Sequence, residues 1–135
     1  MSFPFPEITD VNRPYWDGLA AGELRYQHCR HCGNNWLPAR EQCPNCLSAE
    51  PEWQASSGKG AIISWIVYRH AYAPHLADRL PYDVTIVELA EGPRILTNIV
   101  NGEAGKKLSI GADVELAIHA EEGLNLPHFR LVNQN

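Results

Sequence analysis

The sequence predicts a mainly β protein in three parts: a short helix near the N-terminus, a small metal-stapled ribbon and a five-stranded barrel. Three observations predict it. Two C-x2-C pairs, Cys29/Cys32 and Cys43/Cys46, stand ten residues apart in a segment poor in aliphatic side chains and rich in turn formers. From residue 61 onward, runs of Val, Ile and aromatic residues show the alternation, or the continuous apolar run, of β-strands. Between them and the N-terminus lies one stretch with the start and stop signals of a single helix. The length of 135 residues suits one ordinary domain or two very small modules and excludes a large enzyme with a built-in cofactor domain.

The first ten residues hold Pro4 and Pro6 and are expected to form an extended arm. Thr9, Asp10 or Asn12 can cap the helix that follows. Pro14 suits its first turn, where a missing N–H costs nothing, and Gly22 stands where a left-handed residue ends it. Tyr15 and Leu19, with Trp16 and Ala20 beside them, make an apolar stripe on a helix too short to be stable alone. This arm and helix fill residues 1–23. Residues 24–57 contain all four cysteines and cannot build a useful core without a staple; residues 36–40 are expected to be the strand between the two pairs. Ser56-Ser57-Gly58-Lys59-Gly60 reads as the bend into residues 58–135. There, strands are expected over 61–68, 82–89, 94–100, 113–119 and 128–132, with Glu91-Gly92-Pro93 as a hairpin turn and a longer connection before the fourth strand. Val114, Leu116 and Ile118 share one face, as do Phe129 and Leu131. Five strands match a Greek-key barrel of the OB type, and a small sandwich fits almost as well.

Eleven basic against sixteen acidic side chains give a net charge of −5, so the molecule lacks the basic field that sequence-independent nucleic-acid or membrane binding requires. Neither half is a charged tail. No run approaches the eighteen apolar residues of a membrane span, and residues 1–7 show neither the basic nor the apolar region of a secretory leader, so a reducing cytoplasm is expected. In that compartment clustered cysteines are more often metal ligands than disulfides. Two thiolates three positions apart on a tight turn can face one ion at about 2.3 Å, and a second such turn completes a tetrahedron. A site of four thiolates has no open position, which makes it structural. Zinc is preferred to iron because Leu47-Ser48-Ala49 after the second pair lacks the glycine expected beside an iron centre. His28 and His31 adjoin the first pair as outer-sphere or surface groups; His70, His75, His119 and His128 are scattered, with surface histidine the default for each. No nucleophile elbow, phosphate loop, dinucleotide fingerprint or carboxylate pair is present, so no enzymatic role is expected.

Trp16 in a helix ending Gly22-Glu23-Leu24, then Cys29-x2-Cys32-Gly33, Pro38-Ala39-Arg40-x2-Cys43-Pro44-x-Cys46, Glu52-Trp53, Gly58-x-Gly60 and Ser64 resemble the zinc-ribbon/OB-fold family catalogued as DUF35. Pro81-Tyr82, Val87-Glu88-Leu89-x2-Gly92, Gly111-x2-Val114 and Pro127-x-Phe129 continue the likeness over nearly the whole chain. The resemblance implies a helix, a rubredoxin-like zinc ribbon with Cys29, Cys32, Cys43 and Cys46 as ligands, and an OB barrel. It also implies an acyl-CoA-binding accessory subunit beside a thiolase-like or enoyl-CoA hydratase-like enzyme, joined to that partner or paired as a homodimer. Coenzyme A needs cations for its phosphates and a slot for its chain. Arg40, Arg69 and His70 are candidate phosphate or adenine contacts, and Tyr82 a candidate slot wall. The alternative is a single-stranded nucleic-acid module, which needs a basic groove with exposed aromatics; residues 58–135 carry seven basic against nine acidic side chains. Trp16, Trp36, Trp53 and Trp65 serve a partner surface or the seam between ribbon and barrel.

Overall fold

A computed structural model describes residues 6–71 and 74–132; of the expected arm, residues 1–5 lie outside them, as does the side chain of His75. Helix α1 runs Arg13–Ala20 with Pro14 in its first turn. Its start differs in detail from a simple side-chain cap. The Asn12 side chain reaches back to the Thr9 N–H at 2.7 Å, and the Thr9 hydroxyl accepts from the Asn12 N–H at 3.3 Å, so the two residues brace the turn before the helix. At the far end Gly22, at φ +91°, lets the Glu23 N–H reach the Gly18 carbonyl at 2.9 Å. The apolar stripe is buried, with Leu19 1% exposed: α1 packs against residues 25–28 of the ribbon and 124–131 of the barrel.

Strands β1 (Arg25–His28), β2 (Asn35–Trp36) and β3 (Glu52–Ala55) form a three-stranded antiparallel sheet in the order β2-β1-β3. The strand expected over 36–40 is therefore only two residues long. Pro38 has no N–H to continue the ladder, and the buried Gln27 side chain instead binds both the N–H and the carbonyl of Arg40, at 2.7 and 3.0 Å.

The second sheet holds β4 (Lys59–Tyr68), β5 (Tyr82–Leu89), β6 (Arg94–Thr97), β7 (Asp113–Glu121) and β8 (Leu124–Leu131) in the order β6-β5-β4-β7-β8. It closes on itself. Past β6, Ile99 bridges Phe129 in parallel, with the Phe129 N–H on the Asn98 carbonyl at 3.1 Å and the Val100 N–H on the Phe129 carbonyl at 2.9 Å. This closure decides for a nearly closed OB-like barrel over a sandwich. The expected face patterns hold: Val114, Phe129 and Leu131 are buried with Ile62, Val87 and Leu89 in one core, and Leu116 and Ile118 pack against it. The fifth strand begins four residues earlier than expected because Glu122-Gly123, both at positive φ, makes a two-residue hairpin turn.

Ribbon and barrel are tied by Glu91, which sequence reading treated only as part of a turn. Its carboxylate accepts from the Ser56 hydroxyl at 2.7 Å and the Ser57 N–H at 2.8 Å, and its carbonyl accepts from the Asn35 side chain at 2.9 Å. Burial opposes the Glu91 charge, and the serine donors outweigh it, holding the carboxyl below its usual range.

Candidate functional site

The two C-x2-C turns have the same construction. In the first, the Gly33 N–H bonds the Cys29 carbonyl and the Cys29 N–H bonds the Asn34 carbonyl, both at 2.8 Å. In the second, the Leu47 N–H bonds the Cys43 carbonyl at 2.9 Å and the Cys43 N–H bonds the Ser48 carbonyl at 3.0 Å. Gly33 and Leu47 occupy equivalent left-handed positions, φ +81° and +67°. The missing glycine thus changes the residue and leaves the turn as it is, which removes the argument that preferred zinc to iron on that ground. Leu47 is 67% exposed and pays for its conformation without gaining burial. Leu47→Gly is expected to raise stability by about 1 kcal/mol, as relief of left-handed strain exceeds the added freedom of the unfolded chain; a denaturant titration would read it.

The four sulfurs converge, all within 4.8 Å of one another. Cys29 to Cys46 is 3.5 Å and Cys32 to Cys43 is 3.6 Å, close to the ~3.8 Å edge of a tetrahedron with 2.3 Å metal–sulfur bonds. The donor set therefore fits a four-coordinate thiophilic ion. Around it, the Cys32 N–H points at Cys29 Sγ and the Asn45 N–H at Cys43 Sγ, each at 3.4 Å, and the Asn45 side chain approaches Cys32 Sγ at 3.5 Å. Such donors favour thiolate over thiol. For Cys43, fully buried, desolvation pushes the other way, and the N–H groups of Cys46 and Asn45 still bring it down to about 6. His28 bonds Asn35 at 2.6 Å and His31 is exposed; neither joins the sulfur cluster.

The non-metal candidates fall in different places. Arg40 is exposed in a groove of about 450 Å³ that it shares with Asp10, Glu41 and Glu50. Arg69 and His70 are exposed just past the end of β4. Tyr82 lines a cavity of about 730 Å³, stacked on Tyr68 with ring centroids 5.2 Å apart. The same cavity brings in Arg79, His119 and His128, which sequence reading did not single out as site residues. The two histidines stack at 4.9 Å and 5°, since hairpin β7–β8 sets His128 diagonally across from His119. Burial first, then the nearness of His119 and Arg79, pushes His128 down to about 4, with Asp83 pulling the other way. A histidine whose folded pKa lies below its unfolded value near 6.5 contributes stability that is complete above pH 6.5 and lost as the pH falls toward 4. The denaturation midpoint is expected to drop between pH 7 and pH 4.5, and His128→Asn to flatten that slope.

Two family models match this chain back to back: the rubredoxin-like zinc ribbon domain of ChsH2 over residues 16–52 and the C-terminal OB-fold domain of ChsH2 over residues 53–119. The chain is 37% identical over 128 residues to the probable enoyl-CoA hydratase alpha subunit of Thermomonospora curvata, covering 94% of this chain and 39% of that one. It is 38% identical over 98 residues to a DUF35 domain-containing scaffold protein of Methanothermobacter thermautotrophicus, covering 70% and 72% of the two. It thus spans about two fifths of the hydratase subunit and most of the scaffold protein. Among solved structures, a chain of the Ltp2-ChsH2(DUF35) aldolase matches with a TM-score of 0.81 at 34% identity, covering 94% of this chain and 98% of that one. A DUF35 protein of unknown function from Sulfolobus solfataricus, with a TM-score of 0.65 at 13% identity over 91% and 86%, shares the fold. With both modules matched in order, this chain belongs to the DUF35 family, as a rubredoxin-like zinc ribbon followed by an OB-fold domain of the ChsH2 type.

Proposed function

We propose that this chain is a non-catalytic accessory subunit that helps a hydratase-like or thiolase-like partner enzyme hold acyl-CoA. The observation that carries the reading is the likeness, over 94% of the chain in each case, to a hydratase alpha subunit and to the DUF35 component of an Ltp2-ChsH2 aldolase. In this reading the barrel over 58–135 supplies three of the four contacts, with Tyr82 as a wall of the cofactor-binding cavity and Arg69 and His70, next to Tyr68, as cations or hydrogen-bond donors for phosphate. Arg40 is the weakest of the four contacts, because the carboxylates of Asp10, Glu41 and Glu50 around its groove repel a phosphate.

The ribbon over 24–57 holds zinc through Cys29, Cys32, Cys43 and Cys46. When bound, that ion cross-links two turns and offers no open position for chemistry. Metal analysis and the visible spectrum test the metal, since zinc is colourless and a tetrathiolate iron site is not. For the function, the tagged chain is expressed in its own host and its co-purifying enzyme identified, then CoA is titrated into the chain alone and into the complex. Recovery of an acyl-CoA enzyme and heat on titration support the reading. Titrations silent in both cases, or recovery of nucleic acid instead, overturn it.

A further inference from the structure

The ring-lined cavity has a chemistry of its own. Its volume of about 730 Å³ falls within the range of small-ligand sites. It sits where the end of β4, the start of β5 and the connection between them meet, the region where OB barrels commonly take ligands. Two parallel ring pairs line it, Tyr68 on Tyr82 and His119 on His128. Flat, polarisable walls of this kind favour a flat, conjugated guest over a flexible one.

Charge narrows the class. The Arg79 guanidinium is ion-paired to Glu121, and the same carboxylate accepts from His119 Nε2 at 2.9 Å. His128 stays neutral at physiological pH. The cations at this wall are thus already compensated, which disfavours an anion inside the cavity. An aliphatic chain fits no better, because of the lining side chains only Val84 and Val100 are aliphatic, against four rings that carry an imidazole or a phenol. The groove between α1 and β6, about 430 Å³ and walled by Tyr15, Trp16, Leu37, Ile95 and Leu96, suits such a chain instead.

We infer that the cavity between the tyrosine and histidine pairs is a subsite for a neutral heteroaromatic base of the purine class. The guest stacks on the rings and exchanges hydrogen bonds with them at its edge. For the origin of the base the inference rests on the acyl-CoA reading, in which it is the adenine end of the cofactor and its phosphates lie outside, toward Arg69. A free nucleoside would present the same chemistry.

The test uses the full metal-loaded chain and calorimetric titration with adenosine, CoA and 4′-phosphopantetheine. Adenosine and CoA are expected to bind and to compete. Tyr82→Leu and His119→Ala should each weaken both about tenfold or more, the loss of one stacking face, with metal content and melting temperature unchanged. The His119 side chain is 46% exposed, so its truncation leaves the fold intact even if Tyr82→Leu does not. Adenosine binding that CoA fails to displace supports the base subsite and overturns the acyl-CoA reading. CoA binding matched by 4′-phosphopantetheine and indifferent to His119→Ala overturns the subsite and leaves that reading standing. No binding of adenosine at millimolar concentration also overturns the subsite.

Discussion

Stripping the metal from the four-cysteine centre is expected to unfold the ribbon outright while the barrel stays folded. The three ribbon strands are four, two and four residues long, too short to hold together by ladder bonds alone. Beneath them the buried cluster consists of Cys29, Trp36 and Cys43, with Cys46 packed against it. Three of those four residues belong to the sulfur cluster, so a bound ion would stand in for a hydrophobic core. Structural zinc sites in small modules are worth on the order of 10 kcal/mol at neutral pH, more than a ribbon of this size can otherwise muster. Cys43→Ala removes a fully buried sulfur and with it the acceptor for the Asn34 side chain and the Asn45 N–H. That variant should carry no metal. Trp36, 6% exposed and packed with the cysteines, should shift its emission to the red as water reaches it. Amide exchange should rise to the unprotected limit in β1 to β3 and stay slow in β5 and β8, whose residues Val87, Leu89, Phe129 and Leu131 belong to the other core. Retention of slow exchange in β1 after metal removal would contradict this account.

The features legible in the sequence were those whose physics is local. Cysteine spacing, Pro14 and Gly22 at the helix ends, and the parity of Val114, Leu116 and Ile118 each act within a few residues, and the structure keeps all of them. The length of β2 was misread because the competing partner lies elsewhere: Gln27, thirteen residues back, takes both backbone groups of Arg40 that a longer strand would have used. Leu47 was misread for another reason. A left-handed position normally announces itself by glycine, and here the turn imposes it on a leucine. The ring-lined cavity was invisible because its parts are distant. Arg79 meets Glu121 across 42 positions, and the stacked histidines owe their contact to the register of a hairpin. Single-sequence reading treats each histidine as a surface residue; only the β7–β8 pairing makes them a wall.

Phe129→Ala should be the most damaging substitution in the barrel, at about 4 kcal/mol. The side chain is fully buried at the centre of the larger core, so its loss removes a ring and leaves a cavity that strands held on both sides cannot collapse. Its backbone also makes the two bonds that close the barrel, to Asn98 and Val100. Around that seam Asp83, 4% exposed, accepts from the Thr85 hydroxyl at 2.5 Å and from the Ile99 N–H at 3.0 Å, and the Thr97 hydroxyl donates to the Pro127 carbonyl at 2.7 Å. The Asp83 bonds anchor Ile99 to β5, and the Thr97 bond to Pro127 is kept only while β8 stays against residues 97–100, so the lost packing acts where that bond and the closing bonds depend on it. A melting temperature lower by on the order of 15 °C is expected, together with faster exchange at the Val100 and Phe129 amides than at Val87. Leu96→Ala is the matched control: Leu96 is 67% exposed on edge strand β6, and its truncation should change stability by no more than about 0.5 kcal/mol. If the two variants melted within a few degrees of each other, the barrel would not be closed through Phe129, and the placement of His128, one residue away on the same strand, would lose its support.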